Sequence, residues 1–280
     1  MSGTHDLWKH VPPITRARGY RLYDNRGRRL LDLYQAGGAA LIGHRGSSLT
    51  GAIKTVASRG LLLDLPSIYG LRLLKALSRR YPGYGEVHIV SSMSAALDLI
   101  SSAMGRHISA REIADPALGQ TGDVCLDRPF LTPSPAGGPS ALVLIPVLPF
   151  RIGGGPIVLC LKQPLPASRS PHGHTPLSPL LLSGALRALH DLEHFEPPEW
   201  YHRPLVKPLH GWIQRGPYLQ SLVHRDRYPA LFLRFLESDV LLSPDPESPS
   251  ILPGDASQGE LDKLAKLLQN VPKGHLNGIQ

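Results

Sequence analysis

The stretch YRLYDNRGRRLLDLYQAGGAALIGHRGSSLTGAIK, Tyr20 to Lys54, decides how the rest of the chain is read. Its first half is a hairpin. Tyr20 and Leu22, then Leu30, Leu31 and Leu33, supply the apolar positions. Asp24-Asn25-Arg26-Gly27 between them is turn chemistry, because Asp and Asn bond back to nearby backbone N–H groups and Gly accepts positive φ. The next piece, YQAGGAALIGH, is too rich in glycine for a regular element. Ser47 or Ser48 then caps a helix through LTGAIKTVASRG, which Gly60 stops.

Working outward, residues 66–81 carry Leu71, Leu74 and Leu77 at helical spacing. EVHIVSS is a short strand, and SAALDLISSAMG is a helix ending at Gly105. Residues 105–140 are loop-rich. Two apolar, β-branched runs, ALVLIPVLPF and PIVLCLK, flank Gly153–Gly155 and read as strands buried on both faces. A turn-rich segment, LPASRSPHGHTPLSP, leads into a helix through LLLSGALRALHDLEHF. RYPALFLRFLESDVLLSP is a helix followed by a strand. SQGELDKLAKLLQNV is a closing amphipathic helix capped at Ser257, with Glu260 three residues on. Strands and helices interleave, which predicts an α/β chain.

Composition narrows the function classes. The 280 residues are 42% hydrophobic, enough for a sizeable core, and the formal charge is +8. A basic balance favours phosphates, nucleic acid or anionic surfaces. The arginines are scattered, however, and the densest group, Arg16 to Arg29, is broken by Tyr20, Leu22, Tyr23 and Asp24, which argues against a nucleic-acid stripe. Cys125 and Cys160 lack CxxC spacing and point to a reducing, cytoplasmic setting. No apolar run approaches the roughly 18 residues of a membrane span. His172 and His174 form an H-x-H pair without a third ligand, so no metal site is expected. There is no G-x-S-x-G elbow, and Gly153–Gly155 has no Walker lysine after it.

The opening stretch resembles the N-terminal region of class III pyridoxal-phosphate aminotransferases, including the glutamate-1-semialdehyde aminomutase branch. Gly19, Leu22, Asp24, Gly27, Leu31 and Asp32 follow that family's hairpin, and Ile42-Gly43-His44 its L-G-H before a helix. VHIVSSMSAALDLISSA is similar to the family's N-S-G-T-E-A-N segment, SPHGHTPLSPLLLSGALRALHDLE to its G-T-x-x-G-N-P-L segment, and FLRFLESDVLLSPDPESPSILPGDASQGELDKLAKLL to its C-terminus. The resemblance implies a reduced fold type I architecture: a large α/β domain on a mainly parallel sheet, a small α+β domain built from both termini, and a homodimer. The expected divisions are 1–60 for the N-terminal segment, 61–195 for the reduced large domain and 196–280 for the small domain.

The family's chemistry needs a lysine for a Schiff base with pyridoxal phosphate, a carboxylate for the pyridine nitrogen, an aromatic ring on the cofactor face and a phosphate cradle. Ser92, Met93 and Ser94 stand at the cradle, with methionine where the family has glycine. Pro171 stands at the place of a phosphate-binding threonine. Phe150 falls on the lysine in one alignment; in a second the lysine segment is missing altogether. Lys162 is the only lysine between Lys75 and Lys207 and the one candidate amine in the central region. Asp123 and Asp127 lie in a loop-like segment without strand context, and the stacking ring has no counterpart in 105–140.

The expected function is therefore an aminotransferase class III-like pseudoenzyme that has lost pyridoxal-phosphate catalysis and needs no cofactor. A dimeric scaffold, or a site for a small anionic or amino-acid-like ligand near Ser92, Ser94 and Gly153–Gly155, would be its role. The alternatives are a divergent pyridoxal-phosphate aminotransferase or aminomutase using Lys162, and a basic phosphate- or nucleic-acid-binding module.

Overall fold

A computed structural model describes residues 7–44, 47–131, 141–153, 155–165, 177–205, 207 and 209–270. The chain opens with strands β1 (Ile14–Arg18), β2 (Arg21–Asp24) and β3 (Arg29–Asp32). Helices α1 (Ser47–Ser58) and α2 (Ile68–Arg80) follow, then β4 (Glu86–Val90), α3 (Met93–Met104), β5 (Val124–Asp127), β6 (Val143–Pro146), β7 (Ile157–Leu161) and α4 (Pro179–Glu193). The chain closes with β8 (Trp212–Arg215), β9 (Tyr218–Ser221), α5 (Tyr228–Glu237), β10 (Val240–Leu241), β11 (Ser250–Ile251) and α6 (Gln258–Gln269).

These elements form two compact units. One holds residues 1–45, 130–132 and 196–280; the other holds 46–129 and 133–195. The second is an α/β unit on a sheet of order β4-β7-β6-β5. β7 runs antiparallel to both β4 and β6, while β5 and β6 are parallel, so β4, β5 and β6 share one direction and β7 alone is reversed. Three of the four strands thus run the same way, as the family resemblance implies, although β5–β6 is the one parallel pairing of the three.

Both faces of this sheet are covered. Val143, Ile145, Leu159 and Leu161 pack with Ala96, Leu99 and Ile100 of α3. On the other face Leu144, Val158 and Cys160 pack with Leu73 and Leu77 of α2 and with Ala185 and Leu189 of α4. That explains the unbroken apolar runs at β6 and β7: successive side chains alternate faces, and neither face meets water. Helix α1 packs against α4, and Ser48 Oγ donates to buried Asp191 at 2.8 Å. Residues 47–58 thus belong to the α/β unit rather than with the hairpin before them.

The unit built from both termini is α+β. Its four-stranded sheet has the order β1-β2-β3-β10, with β10 parallel to β3, and a separate antiparallel sheet has the order β11-β9-β8. The predicted hairpin is β2–β3, paired Arg21↔Leu31, Leu22↔Leu30 and Tyr23↔Arg29. Asp24 closes its turn by accepting the N–H groups of Arg26 and Arg28, each at 2.8 Å. Leu30, Leu33, Phe232, Phe235 and Leu264 are fully buried in this unit.

The expectation of a loop at 105–140 needs one correction, since residues 124–127 form strand β5. Four residues are too few to show a period, and the ladder that makes them a strand is supplied by β6, some 20 positions further on. Residues 132–140, 166–176 and Gly154 lie outside the described residues, and with them Pro171, His172 and His174.

Candidate functional site

In α/β sheets, ligands bind beyond the carboxyl ends of the parallel strands. Here three strands end together. β4 runs through Ser91 into α3, β5 ends at Asp127 and β6 ends at Pro146, level with Asp127. β7 starts beside the end of β4, with Ile157 opposite Val90. Just before it, a Cβ placed on Gly155 would sit 2.7 Å from the carbonyl oxygen of Ser91, so only glycine fits.

Ser92 is the N-cap of α3, and its Oγ accepts the Ala95 N–H at 3.2 Å. This is an ordinary serine cap. Met93 is 37% exposed and Ser94 is exposed. The three predicted cradle residues therefore stand together at one helix start, with a bulky, solvent-facing methionine in the middle.

The structure corrects the reading of Asp127. It lies in a strand, is 6% exposed, and accepts a hydrogen bond from the Tyr81 hydroxyl at 2.7 Å. Strand alternation puts it on the same sheet face as Cys125, toward Tyr81 at the end of α2. Burial raises the Asp127 pKa, opposed by the Tyr81 hydrogen bond and the charge of Arg80. Burial, and then Asp127 itself, push Tyr81 up. The Cys160 thiol is driven to about 12 by burial, with Asp127 adding to it, so it is no nucleophile at neutral pH. The signal in the sequence was slight: three apolar residues, Val124-Cys125-Leu126, ending on one acid.

The next residue, Arg128, turns away from this carboxylate and forms a buried two-point pair with Asp115, Nε to Oδ1 at 2.7 Å and Nη2 to Oδ2 at 2.6 Å. That geometry anchors the segment after β5 to the N-cap of the short turn at 116–118.

Phe150 and Lys162 decide what the site can do. Phe150 is 4% exposed and lies against α4, where its ring occupies the space that a Cβ on Gly184 would need, with Cε2 2.7 Å from that position. Lys162 is at the other end of the sheet. Its N–H bonds to Leu142 O at 3.0 Å, and Leu142 in turn bonds to Asp123 O. Asp127 is four residues further along β5, about 13 Å away along the strand. The structure does not bring Lys162 to Ser92, Met93, Ser94 or Asp127.

A pyridoxal-phosphate site would need an amine beside the carboxylate. The cation that Asp127 feels is Arg80, Phe150, which one alignment sets at the lysine's position, is a buried phenyl ring, and the carboxylate is already hydrogen-bonded by Tyr81. Asp127 by itself is a suitable acid, but among the described residues no lysine is brought beside it for the cofactor's covalent attachment.

Comparison with known proteins places this architecture. The chain has the fold of the class III, fold type I pyridoxal-phosphate aminotransferases. Ornithine delta-aminotransferase of Plasmodium falciparum superimposes with a TM-score of 0.70 at 14% identity, covering 96% of this chain and 97% of that one. Glutamate-1-semialdehyde aminomutase of Pseudomonas aeruginosa gives 0.66 at 17% identity, covering 92% and 86%. No family model matches the chain.

In sequence, the chain is 29% identical over 272 residues to an uncharacterized protein of Treponema pallidum, covering 86% of this chain and 88% of that protein. It is 33% identical over 119 residues to glutamate-1-semialdehyde 2,1-aminomutase of Lawsonia intracellularis; that match spans 39% of this chain and 28% of the enzyme. The resemblance read from the motifs is thus met by both sequence relatives and structural neighbours.

Proposed function

We propose that this is an aminotransferase-like protein without Schiff-base chemistry, acting as a self-associating scaffold in the cytoplasm and able to take a small anionic or amino-acid-like ligand at the ends of β4 and β5. The observation that carries this reading is the Phe150–Gly184 contact. Phe150 stands at the lysine's place in one of the two alignments with the family, and its ring occupies the space that a side chain at Gly184 of α4 would need. The free, buried thiols of Cys125 and Cys160 agree with a reducing compartment.

The rival reading, a working pyridoxal-phosphate aminotransferase or aminomutase, is favoured by one feature, the buried carboxylate of Asp127 at the end of β5. Absorbance of the purified protein with added pyridoxal phosphate, before and after borohydride, separates the two. The proposal expects the spectrum of free cofactor and no adduct by mass spectrometry. A borohydride-fixed adduct that disappears in Lys162→Ala would establish the rival.

A further inference from the structure

The densest arginine group of the sequence ends at Arg28-Arg29, where the chain enters β3. β3 and β10 are parallel, with Val240 beside Leu31, so the residues that lead into both strands come together at one edge of the sheet. Helix α6 adds Glu260 and Lys263, three positions apart and therefore on one helix face. These pieces line a cavity of about 480 Å³, with Leu31 and Val240 among its walls. Both of those apolar side chains are buried. A few converging polar groups beside an apolar wall are the general make-up of a small-ligand site, and the volume is in the range such sites have. The whole cavity lies within the unit built from both termini.

Its charges are unequally spent. Glu260 is gripped by Arg21 with two bonds, and Arg29 reaches the same carboxylate only at 3.7 Å. Asp239 serves two cations at once, Arg28 Nε at 2.6 Å and Lys263 Nζ at 3.1 Å. Arg28 also donates to Leu236 O, which commits it fully. Lys263 has spent one N–H of its three, and the Arg29 guanidinium has no hydrogen-bonded acceptor among the described residues. Arg29 and Lys263 are also the most exposed cations of the group, at 57% and 47%. Even with Asp255, which meets Arg21 at 3.4 Å, the cations Arg21, Arg28, Arg29 and Lys263 outnumber the carboxylates.

An arginine fork and an ammonium group facing one volume form a donor set for phosphate. A single carboxylate would be met by Arg29 alone. A phosphate monoester carries roughly two charges at neutral pH and three terminal oxygens, and so uses both cations. We propose that this cavity binds a small phosphate monoester, with Arg29 and Lys263 on the phosphate and Arg28 held beside them by Asp239. The site shares no residue with the one proposed at the ends of β4 and β5, so either can fail without the other.

Phosphorus NMR of glycerol 3-phosphate titrated with the full chain at neutral pH and low salt tests it. The wild type is expected to broaden the signal saturably. Arg29→Ala and Lys263→Ala, each with unchanged far-UV circular dichroism, are expected to weaken binding about tenfold, and Arg29→Lys to weaken it less than Arg29→Ala. Dimethyl phosphate and acetate, with one charge each, are expected to compete about tenfold more weakly than inorganic phosphate. No broadening by the wild type overturns the proposal. So does binding that survives both alanine substitutions, which places the anion elsewhere. Acetate that competes as well as inorganic phosphate overturns the phosphate assignment, and chloride that does so shows an adventitious ion only. Capture on vesicles of phosphatidic acid and phosphatidylcholine without any binding of glycerol 3-phosphate assigns the cations to a lipid headgroup and also overturns it.

Discussion

Gly184 is where residue chemistry and fold meet most sharply. Glycine inside a helix normally weakens it by about 1 kcal/mol relative to alanine, so Gly→Ala is usually stabilising there. Here the sign should reverse, because the Phe150 ring occupies the alanine methyl's place. Gly184→Ala is expected to lower stability by about 1–3 kcal/mol in urea unfolding, the usual effect of overpacking a closed core. Adding Phe150→Leu to the same chain removes the clashing ring and should recover most of the loss. If Gly184→Ala alone were stabilising, the contact on which the proposed function rests would not exist. Both residues stood in the sequence, 34 positions apart, with nothing to connect them; only the fold brings the ring to the helix.

At the level of elements, helix α6 was fully legible, yet its charge behaviour was not. Ser257 and Glu260 make the predicted capping box: Ser257 N donates to Glu260 at 2.8 Å. The structure adds a second use. Arg21 of β2 grips the same carboxylate with two bonds, Nε to Oε1 at 3.0 Å and Nη2 to Oε2 at 2.6 Å. Partial burial opposes ionisation, but Arg21 and the Ser257 donors outweigh it and hold Glu260 down to about 2. Its folded pKa lies below its unfolded value, so the stability it lends is present above the ordinary 4.5 and lost as pH falls toward 2. Thermal melts should therefore show destabilisation across that window, and Glu260→Gln should flatten this part of the profile while lowering stability at neutral pH. An unchanged acid limb in the variant would mean that the box and the arginine do not work through this carboxylate.

For the whole molecule, the +8 charge suggests a nucleic-acid partner only if the cations are free and aligned. Many are neither. Arg21, Arg28, Arg106, Arg128 and Arg187 are each committed to a carboxylate, and they come from elements of both units. A generic 20-base-pair duplex should not be shifted by the protein in gel electrophoresis even at low salt. A shift that fell away steeply between about 50 and 200 mM salt would instead show a phosphate-tracking surface that these pairings conceal.

What the sequence alone determined is everything that depends on near neighbours in the chain. The β2–β3 turn, the Ser257 and Gly105 helix boundaries and the doubly buried strands β6 and β7 each follow from side-chain chemistry within a few residues. So did the resemblance to the aminotransferases, because those local pieces occur in the family's order. Tertiary structure alone decided the rest. It made a strand of Val124–Asp127, buried Asp127 against Tyr81, and set Lys162 at the far end of the sheet. It also holds Gln35 and Ala36 at φ of 45° and 48°. Asp32 accepts the Tyr34 and Gln35 N–H groups, and the Gln35 amide reaches Ile251 across the chain. Left-handed backbone without glycine is unfavourable locally and persists only where such distant partners over-determine it. Distance in the chain is the common reason: the Tyr81–Asp127 and Phe150–Gly184 contacts have no local signature, because the free energy that assembles them comes from packing a sheet between two layers of helices.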